Sequence, residues 1–127
     1  MALKFLVVDD SVTMRRIVLN SLKAIGHNDI VEAIDGRDAL VKLTSDDTIN
    51  FVITDWNMPE VSGLELVKSI RSNLKISAIP ILMVTTRGSK EDIVEALQSK
   101  VNNYVVKPFT PQILREKIEQ VISSSAA

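Results

Sequence analysis

The chain contains no cysteine. That absence removes disulfides, thiolate metal sites and cysteine nucleophiles together. Histidine is nearly absent too: His27 is alone, so no imidazole pair for a metal and no phosphohistidine relay can form within the chain. Beside Gly26 in an expected turn, His27 reads as surface decoration. A surplus of positive charge is also missing. Fifteen Lys and Arg face sixteen Asp and Glu, for a formal charge of -1, which argues against broad nucleic-acid binding. No apolar run approaches the ~18 residues needed to cross a bilayer. The start, Met1-Ala2-Leu3-Lys4-Phe5, runs straight into an apparent strand and lacks a signal-peptide layout. These absences leave a cytoplasmic protein with neither membrane nor nucleic acid as a partner. Its 127 residues, 46% hydrophobic and 24% charged, suit one soluble domain with an ordinary core.

What is present is an alternation. Leu3 to Val8 is apolar and ends in Asp9-Asp10, a first buried strand. Ser11 is positioned to cap a helix striped by Met14, Ile17, Val18, Leu22 and Ile25, with Gly26 as its stop. Ile30 to Ile34 forms a second strand, broken by Asp35-Gly36, and Ala39, Leu40 and Leu43 mark a short helix. Phe51 to Thr54 is a third strand. Pro59 and Gly63 punctuate a loop before a helix outlined by Leu64, Val67 and Ile70. Ile79 to Val84 is a fourth strand, Ile93, Leu97 and Val101 stripe a fourth helix, and Tyr104 to Val106 is a fifth strand. Thr110 and Pro111 open a last helix carrying Leu114, Ile118, Val121 and Ile122. Residues 1–123 then make one domain, and the Ser/Ala residues 124–127 a disordered tail. Five strands, continuously apolar and each followed by a helix, predict an α/β fold: a parallel sheet covered on both faces.

In such sheets ligands bind beyond the carboxyl ends of the strands. The residues there are Asp9-Asp10, Asp55-Trp56-Asn57, Thr85-Thr86-Arg87 and Lys107-Pro108. Asp9 and Asp10 alone read as a loop that caps a helix, Asp55 alone as an Asx turn, and Lys107 alone as a solvated lysine. Together they place three carboxylates, hydroxyls and an amine at one edge. Crowded carboxylates repel, and a divalent cation relieves them. Oxygen donors without imidazole or thiolate favour Mg²⁺. A cation, a lysine and a hydroxyl make a receptor for a phosphoryl group, and an aspartate can itself be the nucleophile. Asp55 sits at a strand tip as the group to be modified, with Trp56 expected to be partly exposed at the rim.

The segments "VVDDSVTMRR", "ITDWNMPEVSGLEL", "ILMVTT" and "NNYVVKPFTP" resemble the response-regulator receiver domains, closest to the single-domain members of chemotaxis, over essentially the whole chain. The resemblance implies a flavodoxin-like five-stranded parallel sheet in the order 2-1-3-4-5 with five helices. It implies Asp55 as phosphoacceptor, and Asp10, Asp55 and the Asn57 carbonyl as Mg²⁺ ligands, with Asp9 acting mainly through a metal-bound water. Lys107 and Thr85 would contact the phosphoryl oxygens, helped by the backbone N–H groups of Asn57 and Thr86. Tyr104 would move inward when Thr85 shifts, and the Lys107-Pro108 bond would be cis. Implied partners are a histidine kinase of the chemotaxis type, a flagellar motor switch protein and a phosphatase, with the chain monomeric. It would be no enzyme beyond its own phosphotransfer and dephosphorylation, and with no room for an output domain it would act by binding. A phosphate sink or an intermediate phosphorelay receiver is the alternative within the family. Two positions depart from the family pattern: Arg87, where glutamate is familiar, and Lys100, where glycine is usual and positive φ would strain a lysine.

Two readings lie outside the family. An aspartate-nucleophile phosphatase of the haloacid-dehalogenase kind usually has an acid where Asn57 stands. A flavin module needs a phosphate loop after the first strand, where Asp9-Asp10 would repel the phosphate.

Overall fold

A computed structural model of the chain describes residues 2–126. Five strands alternate with five helices: β1 Phe5–Val8, α1 Val12–Ala24, β2 Ile30–Ala33, α2 Gly36–Ser45, β3 Phe51–Asp55, α3 Gly63–Ser72, β4 Ile81–Thr85, α4 Lys90–Gln98, β5 Asn103–Val106 and α5 Pro111–Ala126. The sheet is parallel with the order β2-β1-β3-β4-β5. Strand side chains alternate between faces, so each strand feeds two cores. Phe5, Val7, Phe51, Ile53, Leu82, Val84 and Val105 pack with Val18 and Leu22 of α1 and Leu114, Ile118 and Val121 of α5. Leu6, Val8, Val52, Ile81 and Met83 pack on the other face with α2, α3 and α4. No helix of the described residues is long and apolar enough to cross a membrane.

Side-chain caps start every helix. Ser11, Asp35, Ser62 and Ser89 accept from the backbone N–H three residues on, and Ser62 with Glu65 completes a reciprocal capping box. Thr110 accepts from the N–H of Ile113 in the same way. Gly63, expected in a loop, is instead the first residue of α3. A Cβ there would lie 2.2 Å from the Asp55 carbonyl oxygen and 2.8 Å from the Trp56 Cα, so only glycine lets α3 begin this close to the end of β3.

Two helices end alike. At α1, Gly26 takes φ 98 and the His27 N–H reaches back to the Leu22 carbonyl. At α4, Lys100 takes φ 73 and the Val101 N–H reaches the Ala96 carbonyl. In this motif the residue after the left-handed one makes an apolar contact with the helix. That corrects two expectations. Val101 is buried as the capping residue of α4 rather than as part of its stripe, whose buried member is Ala96, while Leu97 is exposed. His27 is half-buried rather than decorative, its ring edge-on to Phe5 at 4.9 Å. Burial, with Arg115 nearby, holds its pKa below the usual histidine value.

Lys100 is the residue out of place, because the left-handed region suits glycine. Lys100→Gly is expected to add about 0.5–1 kcal/mol and to raise the melting temperature by roughly 2–5 °C. A thermal melt checks it, and an unchanged or lower midpoint contradicts it. Glu60 is a second non-glycine residue at positive φ, 64, in a loop the sequence did not flag as strained.

Other boundaries shift. The buried face of α1 is Arg15, Val18, Ser21 and Leu22, one position round from the expected stripe, and Ile17 is exposed. β1 and β4 each start two residues later than the apolar runs, and β3 and β4 each extend one residue further, through Asp55 and Thr85. Helix α5 continues to Ala126 through residues expected in a tail, because serine and alanine accept helical geometry. Ala127 lies outside the described residues.

Candidate functional site

The parallel register assembles the site. Val8 lies opposite Thr54, so the next residues, Asp9 and Asp55, emerge side by side where β1 meets β3. That is where the strand order reverses direction, the usual place for a ligand in an open α/β sheet. Asp55 pairs with Val84 and Thr85 with Val106, so Thr85 and Lys107 leave the same edge. The Lys107 N–H donates to the Thr85 carbonyl at 2.8 Å, and the Lys107-Pro108 bond is cis.

Asp9, Asp10 and Asp55 each offer a carboxylate oxygen within 4.8 Å of the others. Asp9 is buried, Asp55 half-buried and Asp10 exposed. The Lys107 ammonium stands 3.4 Å from Asp55 Oδ1 and 3.7 Å from Asp9 Oδ2. Asp55 Oδ1 also accepts the Trp56 N–H at 2.9 Å, and Asp9 Oδ1 accepts the Ser11 N–H at 2.9 Å. Burial pushes the Asp9 carboxyl above the usual carboxylate range. The Ser11 N–H opposes this, Asp55 and Asp10 add to it, and Lys107 opposes it. The folded-state pKa therefore exceeds the unfolded one, so ionised Asp9 costs stability at neutral pH, and the cost fades as pH falls through the folded value.

Three converging carboxylates with excess negative charge and no imidazole or thiolate fit Mg²⁺ in donor type and number. Asp9→Asn keeps the acceptor for Ser11 and removes the strained charge. It is expected to raise the melting temperature in chelator and to lose the further rise expected of the parent on adding Mg²⁺. A lower midpoint in chelator would contradict this.

Thr85 is buried, and its Oγ1 accepts the Arg87 N–H at 2.9 Å. Thr86 is exposed beside it. Tyr104 is half-buried against the core that holds Trp56, with the Lys117 ammonium 5.2 Å from its ring centre. Trp56 is not at the rim: only 4% of it is exposed. Its indole enters the core under α3, because the Gly63 N–H bonds the Trp56 carbonyl at 2.8 Å and folds the chain back on itself. Arg87 closes the opening above. Its guanidinium lies 4.7 Å from the Trp56 ring centre, and its Nε and Nη2 donate to Asn57 Oδ1 at 3.2 and 2.9 Å. Arg87 thus ties the β4–α4 loop to the β3–α3 loop across the mouth of the site.

Sequence reasoning missed Arg15. It sits on the buried face of α1, pairs with Glu32 on β2 and donates to the Asp9 carbonyl. The signal was its spacing from Val18 and Leu22, three and seven residues on.

Residues 5–119 match the response regulator receiver domain. A chemotaxis protein CheY homolog of Campylobacter jejuni is 52% identical over 98% of this chain and 95% of its own length. The chemotaxis protein CheY1 of Helicobacter pylori is 51% identical over 97% of this chain and 99% of its own. Among solved structures, the Vibrio cholerae chemotaxis response regulator CheY4 superposes with a TM-score of 0.86 at 36% identity, covering 95% of this chain and 99% of that one.

Proposed function

The chain belongs to the response regulator receiver family, and on that premise we propose that it is a phosphorylation-controlled switch of chemotaxis with Asp55 as its phosphoacceptor. The observation that carries this is the meeting of Asp9, Asp10, Asp55 and Lys107, which are scattered along the chain, at one strand edge.

The phosphoryl donor is a phosphohistidine on a histidine kinase. An Asp55 carboxylate oxygen attacks phosphorus as the phosphorus–nitrogen bond breaks, and the leaving imidazole keeps the electron pair and takes up a proton. Asp10, Asp55 and the Asn57 carbonyl would hold Mg²⁺, with Asp9 acting mainly through a water, and the ion would supply neutralising charge to the phosphoryl oxygens. Lys107, already 3.4 Å from Asp55, follows the charge from carboxylate to phosphoryl. The backbone N–H groups of Asn57 and Thr86 complete the anion shell. Transfer of this kind needs positioning and charge balance more than acid–base chemistry. Hydrolysis of the acyl phosphate resets the chain, which turns over no other substrate.

Phosphorylation adds about -1.5 to -2 charges. The Thr85 hydroxyl, held through its oxygen by the Arg87 N–H, donates its hydrogen to a phosphoryl oxygen. Tyr104 moves into the space released, which shifts the population of the α4–β5–α5 face. Val94, Leu97, Val106 and Ile113 are exposed there, and grouped apolar side chains of this kind suit docking. The relatives' names point to chemotaxis, so the partner is a flagellar motor switch protein and the chain acts as a cytoplasmic monomer.

Trp56 fluorescence tests the proposal. The buried indole next to Asp55 is expected to change emission on addition of Mg²⁺, and again on addition of beryllium fluoride, which mimics the acyl phosphate. Two silent additions would count against the site.

A further inference from the structure

We propose that Arg15 is a positioning residue for the carboxylates that hold the cation, an inference that rests on the Mg²⁺ reading above. Arg15 is 9% exposed on the buried face of α1, in line with Val18 and Leu22. A methionine or leucine would satisfy packing there, and the ion pair with Glu32, whose side chain is 45% exposed, adds little stability of its own. The arginine makes two directed bonds instead. Its Nε donates to Glu32 Oε1 on β2 at 2.8 Å, and its Nη1 donates to the Asp9 main-chain carbonyl at 2.8 Å.

The second bond matters for the site. The Asp9 N–H is held by the Ala33 carbonyl at 3.2 Å, its carboxylate by the Ser11 N–H at 2.9 Å, and its carbonyl by Arg15. With all three fixed, the peptide linking Asp9 to Asp10 cannot rotate. That peptide sets the direction in which the exposed Asp10 side chain leaves the backbone. Glu32 balances the guanidinium, so the cation site does not face an uncompensated positive charge. Groups that orient the ligands of a metal typically change its affinity when removed.

The test is a titration with Mg²⁺ alone on the full chain, read by Trp56 fluorescence, with a thermal melt of each variant. Arg15→Met is expected to weaken Mg²⁺ binding about tenfold or more. Arg15→Lys, with one shorter donor, is expected to weaken it about threefold, and Glu32→Gln, which leaves the Asp9 bond intact, by less than about twofold. A folded Arg15→Met protein with the parent's affinity and only a lower melting point would show a purely structural anchor and overturn the proposal. If Arg15→Met melts below the titration temperature, Arg15→Lys against Glu32→Gln decides, and equal affinities overturn it. A parent that binds no Mg²⁺ brings down the site reading and this inference together. A parent that binds beside an indifferent Arg15→Met brings down the inference alone.

Discussion

Asp55→Asn is expected to reduce phosphoryl incorporation from acetyl phosphate to background while leaving the fold intact. The amide keeps the size of the side chain and an oxygen to accept the Trp56 N–H, a bond of 2.9 Å in the parent. It lacks the anionic oxygen that attacks phosphorus, so no acyl phosphate forms. Removing one of three crowded carboxylates also lowers repulsion, and the variant is expected to be at least as stable as the parent without metal. The measurement is radiolabel or mass incorporation beside a melt. A variant that still labels at the parent's rate removes Asp55 from the role of acceptor. A variant that fails to label because it is unfolded is recognised by the melt.

Lys107→Met is expected to have the second largest effect. Among the described residues the ammonium is the one positive side chain within 4 Å of both Asp9 and Asp55, and its side chain is only 10% exposed, so little water screens it. Losing a preorganised donor to a developing anion costs on the order of 10²-fold in rate. Lys107 also opposes the upward push on the Asp9 carboxyl, so without it Asp9 rises further. Sites open to Mg²⁺ then diminish as pH falls toward that raised value, because a proton competes for the same oxygen. The variant should therefore lose phosphotransfer by about two orders of magnitude and show a steeper dependence on acid pH than the parent. A loss smaller than about threefold, with a pH profile like the parent's, would mean that the lysine stands near the site without serving it.

The fold was legible because each strand is an apolar run that stops at a polar tip, and the parallel register turns those tips into one place. Asp10, Asp55 and Lys107 needed only that rule and the family resemblance. What stayed hidden depended on rotation and on termination. A helix stripe read from apolar residues alone places Ile17 inward and leaves Arg15 out, since an arginine counts as polar until its partners, Glu32 and the Asp9 carbonyl, are in view. Val101 and His27 look like a stripe residue and a surface residue, yet the left-handed turns that end α4 and α1 bury the first and half-bury the second. Trp56 was misplaced for a similar reason. The polar residues around it suggest a rim, but the Gly63 bond folds it inward and Arg87, thirty-one positions away, covers it. Spacing cannot report a contact made by a side chain from another loop.

Intact-mass and peptide-mass measurement after incubation with acetyl phosphate and Mg²⁺ tests the central claim most directly. One phosphoryl adduct of about 80 Da is expected, confined to the peptide that spans residues 51–60 and absent when Mg²⁺ is chelated. An adduct on any other peptide, or none under conditions where the protein is folded and Mg²⁺ is bound, would contradict it.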